Sequence, residues 1–166
     1  MSYYILIRGP LGIGKSTISQ ELAKRLNAEY ISMDSILEEH GLARTDSDYT
    51  ADDFLKANEI IIPHVKKLLA KGKIVIFDGN FYFKEQIDHL IKNVNAVHFV
   101  FTLKATLETC IERDKNRKQE CGEEAAKAVY GLVSKFDYGT VIDTEGKSKE
   151  EIVKNMLSYV LKTSKK

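Results

Sequence analysis

The sequence has no tryptophan, two prolines and two cysteines among 166 residues. Cys110 and Cys121 are too few for a disulfide framework and lack metal-ligand spacing, so they read as reduced thiols of a cytoplasmic protein. No apolar run approaches the ~18 residues that a membrane-crossing helix requires. The opening Met1-Ser2-Tyr3-Tyr4 has no basic region and leads straight into a strand, so no secretory leader is expected. An excess of either charge is also missing: 25 basic residues face 24 acidic ones, a net of +1. A dedicated nucleic-acid binder carries a basic excess, and this chain has only a short basic tail, 162–166, of the kind that frays into solvent. The four histidines form no motif, and His98 falls in a predicted strand, as a core or edge residue.

What is present is a globular composition, 43% hydrophobic and 30% charged, at a length that suits one domain spanning 1–166. Short, nearly continuous apolar runs at 3–7, 30–32, 74–77, 97–103 and 140–142 read as strands buried on both faces of a parallel sheet. Helical patterns separate them. Ile18, Leu22 and Leu26 recur at four-residue spacing. Thr50 with Asp53 starts a helix that Gly72 stops, and Pro63 within it predicts a kink or a split. Ser148 with Glu151 repeats the capping pattern ahead of Ile152, Met156 and Val160. This alternation predicts an α/β fold with right-handed crossovers and a ligand at the carboxyl ends of the strands.

The first such end carries Gly9-Pro10-Leu11-Gly12-Ile13-Gly14-Lys15-Ser16, a full match to G-x-x-x-x-G-K-[ST]. Its glycines let successive N–H groups turn inward onto phosphate oxygens, and the following helix adds its positive end. Lys15 supplies a cation for the β- and γ-phosphates, Ser16 a hydroxyl for Mg²⁺, and Thr17 is placed for the α-phosphate. ATP with Mg²⁺ is the expected cofactor pair.

With that loop in place, the chain resembles the P-loop kinases of small molecules and nucleic-acid ends: shikimate, gluconate and adenylylsulfate kinases, the zeta-toxin type, and the AAA-type kinase domain of polynucleotide kinases. The resemblance implies a three-layer α/β/α sandwich with a five-stranded parallel sheet of order 2-3-1-4-5 and a lid at about 113–122. It implies that Asp34, just past the second strand, orients the acceptor hydroxyl and takes its proton; capping of a short helix from Ser35 is the plainer role. Leu37 and Glu38 stand where the zeta-toxin and polynucleotide-kinase types often have an arginine, leaving Arg44 as a substitute. Asp78 ends the third strand like a Walker B acid and serves either metal or acceptor, with Gly79 and Asn80 in the acceptor-side turn. Phe81 and Tyr82 either line that pocket or pack.

Arg113 and Arg117, two of only five arginines, read as lid residues on one helical face, Arg117 for the chemistry and Arg113 for phosphate or adenine. Thr144, Gly146 and Lys147 follow the fifth strand, where such kinases hold adenine. The implied function is phosphoryl transfer from ATP to a hydroxyl, first of a small molecule and second of a polynucleotide 5′ end. A nucleotide-binding switch without transfer is the third reading; the Asn-Lys-x-Asp element of GTPase switches is absent. Acceptor pockets of this group are built from the variable region, here about 35–71. The chain is expected as a monomer or homodimer.

Overall fold

The computed structural model describes residues 1–45 and 48–164; Asp46, Ser47, Lys165 and Lys166, and with them the end of the basic tail, lie outside the described residues. The strands are β1 (Tyr4–Arg8), β2 (Glu29–Ser32), β3 (Val75–Asp78), β4 (His98–Lys104) and β5 (Thr140–Asp143). All pairings are parallel, in the order β2-β3-β1-β4-β5. The helices are α1 (Lys15–Leu26), α2 (Met33–Glu39), α3 (Ala51–Ala70), α4 (Lys84–Val94), α5 (Leu107–Lys115), α6 (Glu123–Val133) and α7 (Lys149–Thr163).

Every residue of β1 and β3 is buried, as continuous apolar strands covered on both faces must be. The two-residue side-chain period then divides β1 between two cores. Tyr4 and Leu6 pack with Phe54, Val65, Leu90 and Val129, from α3, α4 and α6. Ile5 and Ile7 pack with Leu22, Ile152 and Met156, from α1 and α7. Full burial of one such side chain contributes about 1.5–3 kcal/mol.

Helix starts follow the expected caps. Asp53 reaches back to the Thr50 N–H at 2.9 Å, and Glu151 to the Ser148 N–H at 2.7 Å. Gly72, at φ 76°, ends α3 with its N–H on the Leu69 carbonyl at 2.9 Å.

Three expectations need correction. Pro63 does not split α3, which runs unbroken from Ala51 to Ala70. Proline removes the bond to the carbonyl of Glu59, but Glu59 and Pro63 are both exposed, on the side away from Ile61, Ile62, Val65 and Leu69, which anchor the helix to the core. His98 is not a core residue: it opens β4 as an exposed residue, its ring stacked on Tyr4 at 5.5 Å. Asp34 does not cap α2, because Ser32 does, its hydroxyl accepting the Ser35 N–H at 3.3 Å.

Candidate active site

Parallel register brings the carboxyl ends of the strands together, and a cavity of about 420 Å³ opens there. Its floor is the loop between β1 and α1. Gly14, at φ 93°, delivers the chain into α1, whose first turn contains no acidic side chain to compete for its N–H groups. Gly12 sits at φ 81°, and a Cβ there would lie 2.2 Å from the Cys110 carbonyl oxygen. The phosphate loop therefore rests directly on the backbone of α5 and tolerates no side chain at that glycine.

The cavity is lined by Leu11, Gly12, Ile13, Gly14, Lys15, Ser16 and Thr17. Asp34, Asp78 and Asn80 face it from the ends of β2 and β3, and Arg113, Arg117 and Lys147 from beyond β4 and β5. Lys15 donates to the Pro10 carbonyl at 3.5 Å. Burial lowers its pKa from the ordinary lysine value, Asp78 and Asp34 offset part of that, and Arg117 lowers it further.

Asp78 is nearly buried and accepts the Tyr30 hydroxyl at 2.6 Å. Burial foremost, then the bond to Asp78, pushes the Tyr30 pKa up to about 12, with Gln20 and Ser16 acting in the opposite sense. Tyr30 thus remains a donor that orients the carboxylate beside Ser16. No cluster of three or more His, Cys, Asp or Glu side chains that could hold a metal occurs among the described residues. One hydroxyl and one or two carboxylates beside a phosphate loop fit Mg²⁺, which keeps waters and takes its remaining ligands from the nucleotide.

Other expected residues are elsewhere or are engaged. Arg44 is outside the cavity, its Nε on the buried Asp53 carboxylate at 3.0 Å. Gly9 and Pro10 shape the loop without lining the cavity, and Gly79 extends β3 through its N–H to the Ile7 carbonyl at 3.2 Å. Arg113 and Arg117 do not share a helical face. The helix α5 ends at Lys115, and Arg117 lies in the following turn, 3.4 Å from Asp114. Arg113 joins two parts of the site, donating to Ile13 O at 3.4 Å, to Thr144 Oγ1 at 3.1 Å and to Thr144 O at 3.2 Å. Thr144 is fully buried, while Gly146 turns the loop at φ 64°. Tyr82 accepts the Asn80 amide at 2.8 Å through its hydroxyl, and its ring packs edge-on to Phe54.

Four residues of the site and its supports had no place in the motif reading. Tyr30 was legible by parity: it is the lateral neighbour of Ile76, so it shares a face with Asp78. Lys149 follows Lys147 on the cavity wall. Asp114, nearly buried, accepts the N–H groups of Cys121 at 3.0 Å and Gly122 at 3.0 Å, fastening the base of the 116–122 segment. Arg8, just before Gly9, is wholly buried and gave no motif signal. It donates to Val133 O and Phe136 O at 2.9 Å each, and to Phe81 O and Thr102 Oγ1 at 3.3 Å each. Phe81 is itself left-handed, at φ 49°, a conformation that costs a bulky residue about 1–3 kcal/mol.

Residues 5–131 match the family model described as AAA domain, AAA_33. The chain belongs to the AAA_33 family. This AAA_33 protein is 30% identical to a shikimate kinase of Actinobacillus succinogenes, over 95% of its own length and 92% of the relative's. It is 26% identical to a Pyrococcus furiosus protein that carries the name adenylate kinase, over 94% and 83%. Among solved structures, a sugar kinase from Janibacter superposes with a TM-score of 0.82 at 15% identity, covering 96% of this chain and 95% of that one. A gluconokinase from Sinorhizobium meliloti gives 0.75 at 14%, covering 98% and 93%. Loop, sheet order and relatives agree: the AAA_33 protein is a P-loop kinase, an ATP-dependent phosphotransferase.

Proposed function

We propose that the protein transfers the γ-phosphoryl group of Mg·ATP to a hydroxyl of a small molecule, with Asp34 as the base. The reading rests above all on one observation: Lys15, Asp34, Asp78 and Arg117 all face a single cavity over the phosphate loop.

The loop N–H groups and Lys15 hold the triphosphate. Ser16 and Asp78 would hold Mg²⁺, which would neutralise negative charge on the triphosphate. Asp34 orients the acceptor hydroxyl and accepts its proton as the oxygen–phosphorus bond forms and the bond to ADP breaks. Arg117 swings from Asp114 onto the transferring group, and Arg113 secures the phosphate loop against the adenine side, where Thr144, Gly146 and Lys147 lie. We read 1–166 as one kinase domain with its lid at 113–122, working in the cytoplasm, where ATP and reducing conditions keep company with two free thiols.

ADP release is the test, with Asp34→Asn as control. The substitution should leave ATP binding intact and cut transfer by about a hundredfold or more. Undiminished transfer would refute the role of Asp34.

A further inference from the structure

The cavity is divided electrically by the order of the sheet. On the β2–β3 side of the phosphate loop its charged lining residues are carboxylates, Asp34 and Asp78, with the neutral Asn80 beside them. On the β4–β5 side they are bases: Arg113, Arg117, Lys147 and Lys149. The triphosphate has its cations. Among the described lining residues, the acceptor, entering from the β2–β3 side, meets no lysine or arginine beyond the Lys15 that serves the triphosphate.

Bases near that side are already committed. Arg44 lies outside the cavity and is paired with Asp53 at 3.0 Å. Arg8, at the end of the central strand, is wholly buried and has its guanidinium on Val133 O, Phe136 O, Phe81 O and Thr102 Oγ1, with Phe136 stacked at 4.3 Å. Lys56 pairs with Asp52 at 2.9 Å, and Lys84, the first base after Asn80, with Asp88 at 2.6 Å. Across residues 29–62, acidic side chains outnumber Lys and Arg nine to two, in a chain whose overall net charge is +1. A carboxylate or phosphate on the acceptor would lose its water beside like charges with no cation to replace it.

We infer that the acceptor bears no anionic group: it is a hydroxyl compound of zero or positive charge, such as a neutral polyol, a nucleoside or an amino sugar. The inference rests on the phosphotransfer reading above, and it sets this site apart from kinases whose acceptors, like shikimate or adenylate, are anions. The partition by sheet order makes this a property of the whole site: the same topology that delivers bases to the nucleotide delivers only acids and an amide to the acceptor.

The test is ADP release by the full chain with Mg·ATP, over sets matched in all but charge. Glucosamine, glucose and gluconate form one set, adenosine and adenylate another, shikimate methyl ester and shikimate a third. A wider library of polyols, amino sugars and nucleosides, with their acid and phosphate derivatives, extends them. The best acceptor should be neutral or amine-bearing, and adding a carboxylate or phosphate to it should lower kcat/KM by at least about 50-fold. A best acceptor that is itself a carboxylate or phosphate would overturn the inference while leaving phosphotransfer intact. No release with any compound, by a protein that still binds ATP, would instead remove the phosphotransfer reading, and this inference with it.

Discussion

At the scale of single residues, the site's chemistry was legible where a motif demands particular atoms and silent where a residue works through support. Gly9 through Ser16 announce a phosphate loop because few residue types can perform each step. Arg8 announces nothing, since a lone arginine beside a strand is commonplace until the carbonyls around it are seen. Tyr30 is intermediate, visible only once the register with β3 is known. It provides a sharp prediction. Tyr30→Phe keeps the ring and removes the donor that Asp78 accepts at 2.6 Å. Affinity for Mg·ATP should fall about three- to tenfold, whereas metal-free ATP should bind as before, measured by titration calorimetry with and without Mg²⁺. Equal losses in both conditions would mean that Tyr30 merely packs.

Among the elements, α3 and α7 were signalled by their caps and α1 by its apolar spacing, whereas α4 and α6, which lack a side-chain cap, drew no reading from the sequence. Both ends of α3 were signalled, by Thr50 with Asp53 and by Gly72. In contrast α6 starts after Gly122 with no side-chain cap, and the sequence reading made no statement about that segment. The split that Pro63 allowed did not occur, because propensity judges a proline without knowing what anchors the helix around it.

The Asp53 box carries a pH prediction. Bonds from Arg44 and then from Thr50 pull its pKa down to about 2, against an ordinary 3.8. A depressed carboxyl pKa adds stability that is fully present above about pH 4 and is lost as pH falls towards 2. Melting curves should show wild type losing stability more steeply than Asp53→Asn between pH 4 and pH 2, with parallel behaviour above pH 5.

The lid base gives another. Asp114→Ala strips the acceptor from the N–H groups of Cys121 and Gly122, at a cost of about 1–3 kcal/mol concentrated in that turn. Proteolysis within 116–122 should accelerate, while nucleotide affinity changes little. Cleavage at the wild-type rate would show that the turn is held by other means.

Over the whole molecule, one parallel register collects the phosphate loop, the carboxylates and the proposed lid at a single end, so nucleotide binding should be felt beyond the loop itself. The phosphate loop leans on α5 through Gly12 and Cys110, and α5 is tied to the β5–α7 loop through Arg113 and Thr144. A ligand held by that loop therefore braces α1, α5 and the β5–α7 loop together. Mg·ATP at 100 times its Kd stabilises the native state by about 2.7 kcal/mol. For a chain of this size, each kcal/mol raises Tm by roughly 2–4 °C, so a shift of roughly 5–10 °C is expected. Lys15→Ala removes the cation proposed to hold the triphosphate without disturbing a packed core, since that side chain is only half-buried and donates to Pro10 O at 3.5 Å. The variant should melt within a degree or two of wild type in the absence of nucleotide and lose most of the shift in its presence. A full shift in Lys15→Ala would mean that ATP braces the protein from some other surface, and the roles assigned to both carboxylates and to the lid would have no anchor.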